Sequence, residues 1–378
     1  MRAAITSTIQ IVLVQGLVWA QTGSISSMEQ QVLDSITSQS VEGHLEFLAS
    51  DALGGRNTPS PGLDLAALYI ATQFKRIGLE SAGNDGFFQT TEWEIGVTER
   101  ERTTRTGERR VMRSRRPVPV GTSENVEGDP FTLKNVIGLL PGSDPVLRDT
   151  YILVTAHYDH VGIRSGSFPD SISNGANDNG SGTVGVIELA AALSHLKPQP
   201  KRSILFIALF GEEKGLLGAR EFAENPVVPL VKIVAVINME MIGRTDGDGG
   251  DQSNRASFTG MNFSSMTQSF VEAGELLDME VHRHPEFSDP YFSRSDNIAF
   301  ASKGVVAHTI CVLYQYDDYH QVGDNWDKID YPNMTRTIKL LALGLIRLAN
   351  DDQEPRWNED NPDAERYLQA WKILHGLG

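Results

Sequence analysis

Four short runs limit how this chain can fold: Tyr151 to Ala156, Ser203 to Phe210, Lys232 to Asn238 and Gly304 to Leu313 are near-continuous stretches of apolar and β-branched residues. A strand with one wet face alternates polar and apolar side chains. These runs do not alternate, so each reads as a strand covered on both faces. Thr183 to Leu196, Leu216 to Ala223, Phe263 to Leu277 and Asn333 to Leu348 read as helices by their apolar spacing. Alternating strand and helix implies an α/β sheet layered with helices. Met28 to Ser50 and Asp64 to Ile77 add two N-terminal helices, the second preceded by the breakers Pro59, Pro61 and Gly62. With 40% hydrophobic and 22% charged residues in 378, the chain can bury a large core, which excludes disorder, collagen and coiled coil.

A formal charge of −16 argues against a general nucleic-acid binder and favours a small or cationic partner. Against that acidic background, Glu99 to Arg116 holds eight arginines and three acids, which reads as a solvated hairpin or loop. Residues 1–20 read as a secretory signal peptide: Arg2, an apolar run from Ile5 to Trp19 and a small-residue site at Val18-Trp19-Ala20. That run is too short and too interrupted for a spanning helix of roughly 20 apolar residues, so no stable membrane anchor is expected. The expected location is therefore periplasmic or secreted. Cys311 is the only cysteine, which leaves no internal disulfide and suits a buried thiol.

In open α/β sheets ligands bind beyond the carboxyl ends of the strands, so what each strand delivers as it ends decides the chemistry. The first run leads into His157-Tyr-Asp159-His160, the second into Gly211-Glu212-Glu213, the third into Met239-Glu240-Met241 and the fourth into Asp317-Asp318-Tyr319-His320. The loop after the first also carries Asn177-Asp178-Asn179 before a helix. Carboxylates and imidazoles crowded at one sheet edge repel and shift one another's ionisation unless a cation neutralises them. Histidine plus carboxylate without thiolate suits Zn²⁺, with Mn²⁺ or Co²⁺ possible in the same geometry. Such a set fits two ions about 3.5–4 Å apart, sharing a carboxylate and a water, an arrangement that performs hydrolysis. Glu212 and Glu213 can divide the work, because neighbouring residues leaving a strand point in different directions. His157 with Asp159 has the spacing of a ligand oriented by a carboxylate.

The strings AHYDHVG, NGANDNGSG, ALFGEEKGLLGAREF, INMEMIGR, RSDNIAFASKG and YHQVGDNWDKID resemble, in order and spacing, those of the co-catalytic dinuclear zinc exopeptidases, which include bacterial leucyl aminopeptidases and glutamate carboxypeptidase. The resemblance covers about Glu42 to Ala349. It implies a three-layer mixed β-sheet with helices on both faces, the phosphorylase/hydrolase-like fold of zinc aminopeptidases, acting on peptide substrates. Two Zn²⁺ ions per chain are implied, with Asp178 bridging them. Glu213 and His320 would complete one site, His157 and Glu240 the other. Glu212 would be the general base, Asp159 would orient His157, and the Asp178–Asn179 peptide would be cis. The implied division is a leader over 1–20, one catalytic domain over 28–350 with an arginine-rich excursion near 95–130, and a C-terminal extension over 351–378.

Glu240 stands where the family often has Asp, and Asn179 and Asn297 replace a frequent Asp and His, so the contacts behind the ligands are expected to differ from the family's. His44, His195, His282, His284 and His308 read as surface or core histidines, and His160 as a neighbour of the ligands or a rim contact. Tyr291, Arg294, Asp296 and Arg244 could bind substrate or serve structure. The leading expectation is an aminopeptidase. A carboxypeptidase or dipeptidase would need Arg244, Arg294 or the arginine-rich segment to hold a carboxylate. A glutaminyl cyclase-like transferase using one zinc is disfavoured by the five filled ligand positions, and a non-catalytic peptide-binding protein by the retained base.

Overall fold

A computed structural model describes residues 24–378 apart from 104–108, 165, 167–169 and 248–249, so the signal peptide expected over residues 1–20 lies outside the described residues. The main sheet has ten strands: β1 (Glu80–Ser81), β2 (Phe88–Thr103), β3 (Arg109–Pro119), β4 (Val126–Leu140), β5 (Tyr151–His157), β6 (Ser203–Leu209), β7 (Ile233–Glu240), β8 (Arg255–Phe258), β9 (Glu280–His282) and β10 (Ala307–Cys311). Their order is β9-β8-β10-β7-β5-β6-β4-β2-β3, with β1 pairing β4 at its edge. At the centre β10, β7, β5 and β6 run parallel, and β4, β2 and β3 continue antiparallel. The sheet is therefore mixed. The chain leaves β5 for β6 on one side and then crosses to β7 on the other, which makes the end of β5 a topological switch point. Register brings the strand ends level: His157 lies opposite Leu209, and Glu240 opposite Cys311.

Every residue of β6 and β7 is buried, as their unbroken apolar sequences require. The helix Gly182–Ser194 packs on β5, β6 and β7, and its sequence GTVGVIELAAALS is apolar nearly all round because further helices, Pro61–Ile77 and Tyr331–Asn350, cover its outer side. Leu217–Glu224 and Asn297–Ala301 form a second packed pair, the first against β4 and β6 and the second against β7 and β10. Local chemistry sets the helix ends. Ser60 accepts from the Leu63 amide at 3.1 Å ahead of Pro61, and Gly78 at φ 90° closes that helix.

Three expected elements end elsewhere. The Met28 to Ser50 helix is two, Ser27–Ser35 and Ser38–Leu48, because Ile36 turns extended into the core and the Thr37 side chain caps a new start at the Ser40 amide. The Phe263 to Leu277 helix begins only at Gln268, while Phe263 instead packs its ring on Phe292 and Tyr367. The fourth strand keeps only Ala307–Cys311 of its apolar run, and residues 312–325 form a long loop. The arginine-rich segment falls in the β2–β3 hairpin, where Val111 and Met112 are exposed and Arg115 donates to Glu127 at 2.8 Å. At the C-terminus Trp357, Tyr367 and Leu368 are buried in the main core, with the Trp357 indole donating to the Gly304 carbonyl at 2.9 Å. No described helix is long and apolar enough to cross a membrane.

His308 on β10 is fully buried; Nδ1 faces the Thr259 carbonyl at 2.9 Å and Nε2 faces the Ser264 hydroxyl at 2.7 Å, a neutral ring with one donor and one acceptor. Burial pulls its pKa down to about 4, and His44 is pulled to about 4 by burial and by Arg76. An unfolded chain takes up these protons below pH 6.5 and the folded one does not, so stability falls as pH drops from 6.5 towards 4. The His308 share over that window is on the order of 3 kcal/mol. Denaturant titrations at pH 7 and pH 5 check this: His308→Gln is expected to flatten the dependence, and an unchanged slope contradicts it.

Candidate metal centre

The polar groups of the site stand where the parallel strands end. His157 closes β5 and leads directly into Asp159 and His160, all three fully buried. Beyond β6, Gly211 at φ 68° turns the chain so that Glu212 and Glu213 sit in one tight turn, and Glu240 closes β7. Asp178 lies in the irregular Ala176–Ser181 turn ahead of the central helix, and the Asp178–Asn179 peptide is cis. His320 comes from the loop after β10, not from the strand itself.

Asp178 divides its two oxygens between two clusters. Oδ1 is 3.5 Å from His157 Nε2, which is also 3.0 Å from Glu240 Oε1. Oδ2 is 3.1 Å from His320 Nε2 and 3.8 Å from His160 Nδ1, and both rings also approach Glu213 Oε1 at 3.1 Å. Two trios have donor atoms close enough to share an ion: His157, Asp178 and Glu240, and His160, Asp178 and Glu213. Asp178 Oδ2, Glu213 Oε1 and both nitrogens of His160 are buried without a hydrogen-bond partner, so the 3.1 Å approaches lack hydrogen-bond geometry. In the second trio the buried donors converge without bonding one another, which fits a cation between them, whereas in the first His157 Nε2 and Glu240 Oε1 share a hydrogen bond at 3.0 Å. Imidazole and carboxylate without thiolate is a zinc-type donor set.

The neighbouring glutamates part company electrostatically. Burial, reinforced by Glu240, Asp296 and Glu213, pushes the Glu212 carboxyl well above the usual carboxylate range despite the opposing His157. Burial acts on Glu213 too, and so does Asp178, but the contacts with His160 and His320 prevail and hold it low. Asp178 is held far lower still, its burial outweighed by His157, His320 and His160. Environments that separate paired carboxyls in this way separate a proton carrier from a ligand. Burial also lifts Asp296 to about 8, aided by Glu240 and Asp159, with both its oxygens unpaired.

A shell of hydrogen bonds fixes these groups. His157 Nδ1 faces the Asp159 backbone carbonyl at 3.1 Å and the Asp159 Oδ1 at 3.4 Å. The same Oδ1 accepts from the Glu212 amide at 3.0 Å, so Asp159 ties the β5 imidazole to the Glu212 turn. Asp324, which the sequence reading did not single out, accepts from the Asn177 and Asp178 amides at 3.0 and 3.1 Å and from the Tyr316 hydroxyl at 3.0 Å. Asn179 braces the turn by donating to the Met239 carbonyl at 2.8 Å and accepting from the Gly182 amide at 3.0 Å. Arg56 is fully buried and donates to the carbonyls of Tyr158, Leu48, Asn174 and Gly175.

Beside Asp178, Glu212 and Glu240 opens a cavity of about 410 Å³ lined by Met241, Tyr291, Arg294, Tyr314, Tyr316 and Tyr319 among others. Arg294 lies over the Tyr291 ring at 5.0 Å. Arg244 is not available to a substrate: it pairs with Asp246 at 2.6 Å and Asp318 at 2.7 Å. His44, His282, His284 and His308 make their contacts elsewhere.

A model of Peptidase family M28 matches residues 135–344, more than half of the chain. A probable zinc metalloprotease of Pyrenophora teres f. teres (strain 0-1) is 28% identical over 226 residues, covering 58% of this chain but only 42% of its own length. Another from Pyrenophora tritici-repentis (strain Pt-1C-BFP) is 27% identical over 368 residues, 86% of this chain and 77% of the relative. Among solved structures, an aminopeptidase from Aneurinibacillus sp. strain AM-1 superposes with a TM-score of 0.61 at 15% identity, over 88% of this chain and 97% of the other, which shows the same fold.

Asp324→Asn would turn an amide NH₂ towards backbone donors. We expect zinc affinity to fall by about 10–100-fold, as when a ligand loses its support. Competition with a chelator measures it, and an unchanged affinity contradicts the role given to Asp324.

Proposed function

The chain belongs to peptidase family M28, and from that premise we propose that it is an exported zinc exopeptidase that removes N-terminal residues from peptides. The observation that carries this reading is the sharing of Asp178 between two clusters of imidazole and carboxylate, with Glu212 open to the adjoining cavity. His157, Asp178 and Glu240 would hold one zinc, and Asp178, Glu213 and His320 a second. Bound zinc supplies Lewis acidity, which polarises the scissile carbonyl and makes a water acidic enough to attack at neutral pH.

Glu212 takes the proton from the attacking water on its carboxylate and delivers it to the leaving amine. Its raised proton affinity suits a group that must accept a proton and then release it. Asp159 keeps the Glu212 backbone and the His157 ring in register during that transfer. Apart from Asp178 and Glu240, whose charge bound zinc would offset, the described lining of the cavity holds the carboxyl groups of Glu212 and Asp317 beside the cation Arg294. The two carboxyl groups are the ones that can take up a substrate ammonium. The tyrosines offer an apolar wall to the first side chain.

Arg294 supports one alternative, a carboxypeptidase or dipeptidase in which its guanidinium pairs with a terminal carboxylate. A panel of aminoacyl-arylamides and N-blocked peptides separates the two: release from free N-termini alone supports the aminopeptidase, and activity confined to blocked peptides supports its rival. Export rests on residues 1–20 together with the lone Cys311, and processing near Ala20 in the secreted product would support it.

Glu212→Gln removes the proton carrier and no ligand. Turnover should fall by roughly 10²–10⁴-fold while zinc content stays near that of the parent. Retained turnover, or loss of the metal, contradicts the assignment.

A further inference from the structure

Two arginines lie over tyrosine rings of the cavity wall, and only one of them is neutralised. Arg244 lies over Tyr316 at 4.9 Å and pairs with both Asp246 and Asp318. Arg294 lies over Tyr291 at 5.0 Å, is exposed, and forms no ion pair among the described residues. With 49 acidic side chains against 33 basic ones in the chain, carboxylate partners are plentiful, yet the cation in the described cavity lining is left without one.

The mount of that cation is fixed. The Tyr291 amide donates to the Phe287 carbonyl at 2.9 Å, Gln315 donates to the Tyr291 hydroxyl at 3.2 Å, and the ring meets those of Phe287 and Tyr314 at 5.0 and 5.6 Å. The Arg294 amide donates to the Tyr291 carbonyl at 3.0 Å. The next residue, Ser295, donates to Glu240 at 2.6 Å and accepts from Asn238 at 2.8 Å, which ties the backbone carrying Arg294 to a residue expected to hold zinc. A guanidinium mounted in this way loses less freedom on binding, and its planar fork matches a carboxylate.

The charges around the cavity decide what it can bind. Bound zinc would offset Asp178 and Glu240, and Glu212 and Asp317 can take up a substrate ammonium, so Arg294 remains for an anion that the substrate brings. In a peptide of any length, the first residue's own side chain is the part that carries a carboxylate into the chamber receiving its ammonium. The methylenes ahead of that carboxylate can pack on the tyrosines. We propose that Arg294 is a specificity-determining residue that pairs with the side-chain carboxylate of an N-terminal glutamate or aspartate, which makes peptides with an acidic first residue the preferred substrates. This role rests on the aminopeptidase reading above.

Matched substrates test it on the full chain loaded with zinc: glutamyl against glutaminyl p-nitroanilide, which share a shape and differ by one charge, and Ala-Ala against its C-terminal amide. In the parent, kcat/KM for the glutamyl substrate should exceed that for the glutaminyl one by about 10–100-fold, the range of a charge-assisted hydrogen bond. The ratio should fall to near one in Arg294→Gln and below one in Arg294→Glu. A ratio near one in the parent, or a preference for the glutamyl substrate that survives in either variant, overturns the assignment. So does a charge preference confined to the dipeptide pair, which moves Arg294 to the terminal carboxylate of the rival reading. A parent that cleaves N-blocked peptides and none of these four substrates removes the aminopeptidase reading itself, and the role of Arg294 with it.

Discussion

The molecule is organised around a like-charge problem. Asp178, Glu213 and Glu240 converge with Glu212 at the end of a parallel sheet, largely out of water, and Asp159, Asp296 and Asp324 are buried close by. Carboxylates in that density cannot all be ionised without positive charge among them. Histidines 157, 160 and 320 supply donors around the two oxygens of Asp178, where a bound cation would relieve the repulsion. The opposite tendencies of Glu212 and Glu213 follow from the same geometry, since one faces the histidine pair and the other faces more carboxylates.

Holding such a cluster takes a rigid frame, and the frame is largely backbone. Register in the sheet brings His157 and Glu240 to one edge without help from any loop. The turn around Asp178 has no such support, so Asp324 gathers its amides while Arg56 gathers the carbonyls of Asn174 and Gly175 just ahead of it. Burial lowers the proton affinity of Arg56 to about 10, with the site carboxylates pulling it back up, so the guanidinium stays charged and adds a cation behind the cluster. One residue thus serves both the hydrogen-bond accounting of the loops and the electrostatics of the centre.

The architecture was legible because unbroken apolar runs admit few other readings, and the convergence of the five residues expected as ligands was legible because four of them follow those runs and Asp178 precedes a helix. Boundaries were less so. Thr37 capping a second helix and Phe263 packing as a ring rather than opening a helix are decisions of tertiary contact. Asp324 lies 146 residues from the amide of Asp178 that it binds, a distance over which no local pattern speaks. His160 was visible in its motif as a neighbour of the ligands, whereas the slot that holds its ring, made by Gly175 and Arg56, joins residues far apart in the chain. Its only local signal was the second histidine in His157-Tyr-Asp-His160.

The central claim is that Asp178 is shared between two metal positions. Crystals of the zinc-loaded protein measured above and below the zinc absorption edge would test it by anomalous difference maps. The account predicts two zinc peaks, one on each side of the Asp178 carboxylate, the first among His157 and Glu240 and the second among Glu213 and His320. A single peak, or peaks that leave Asp178 without a contact, would contradict it.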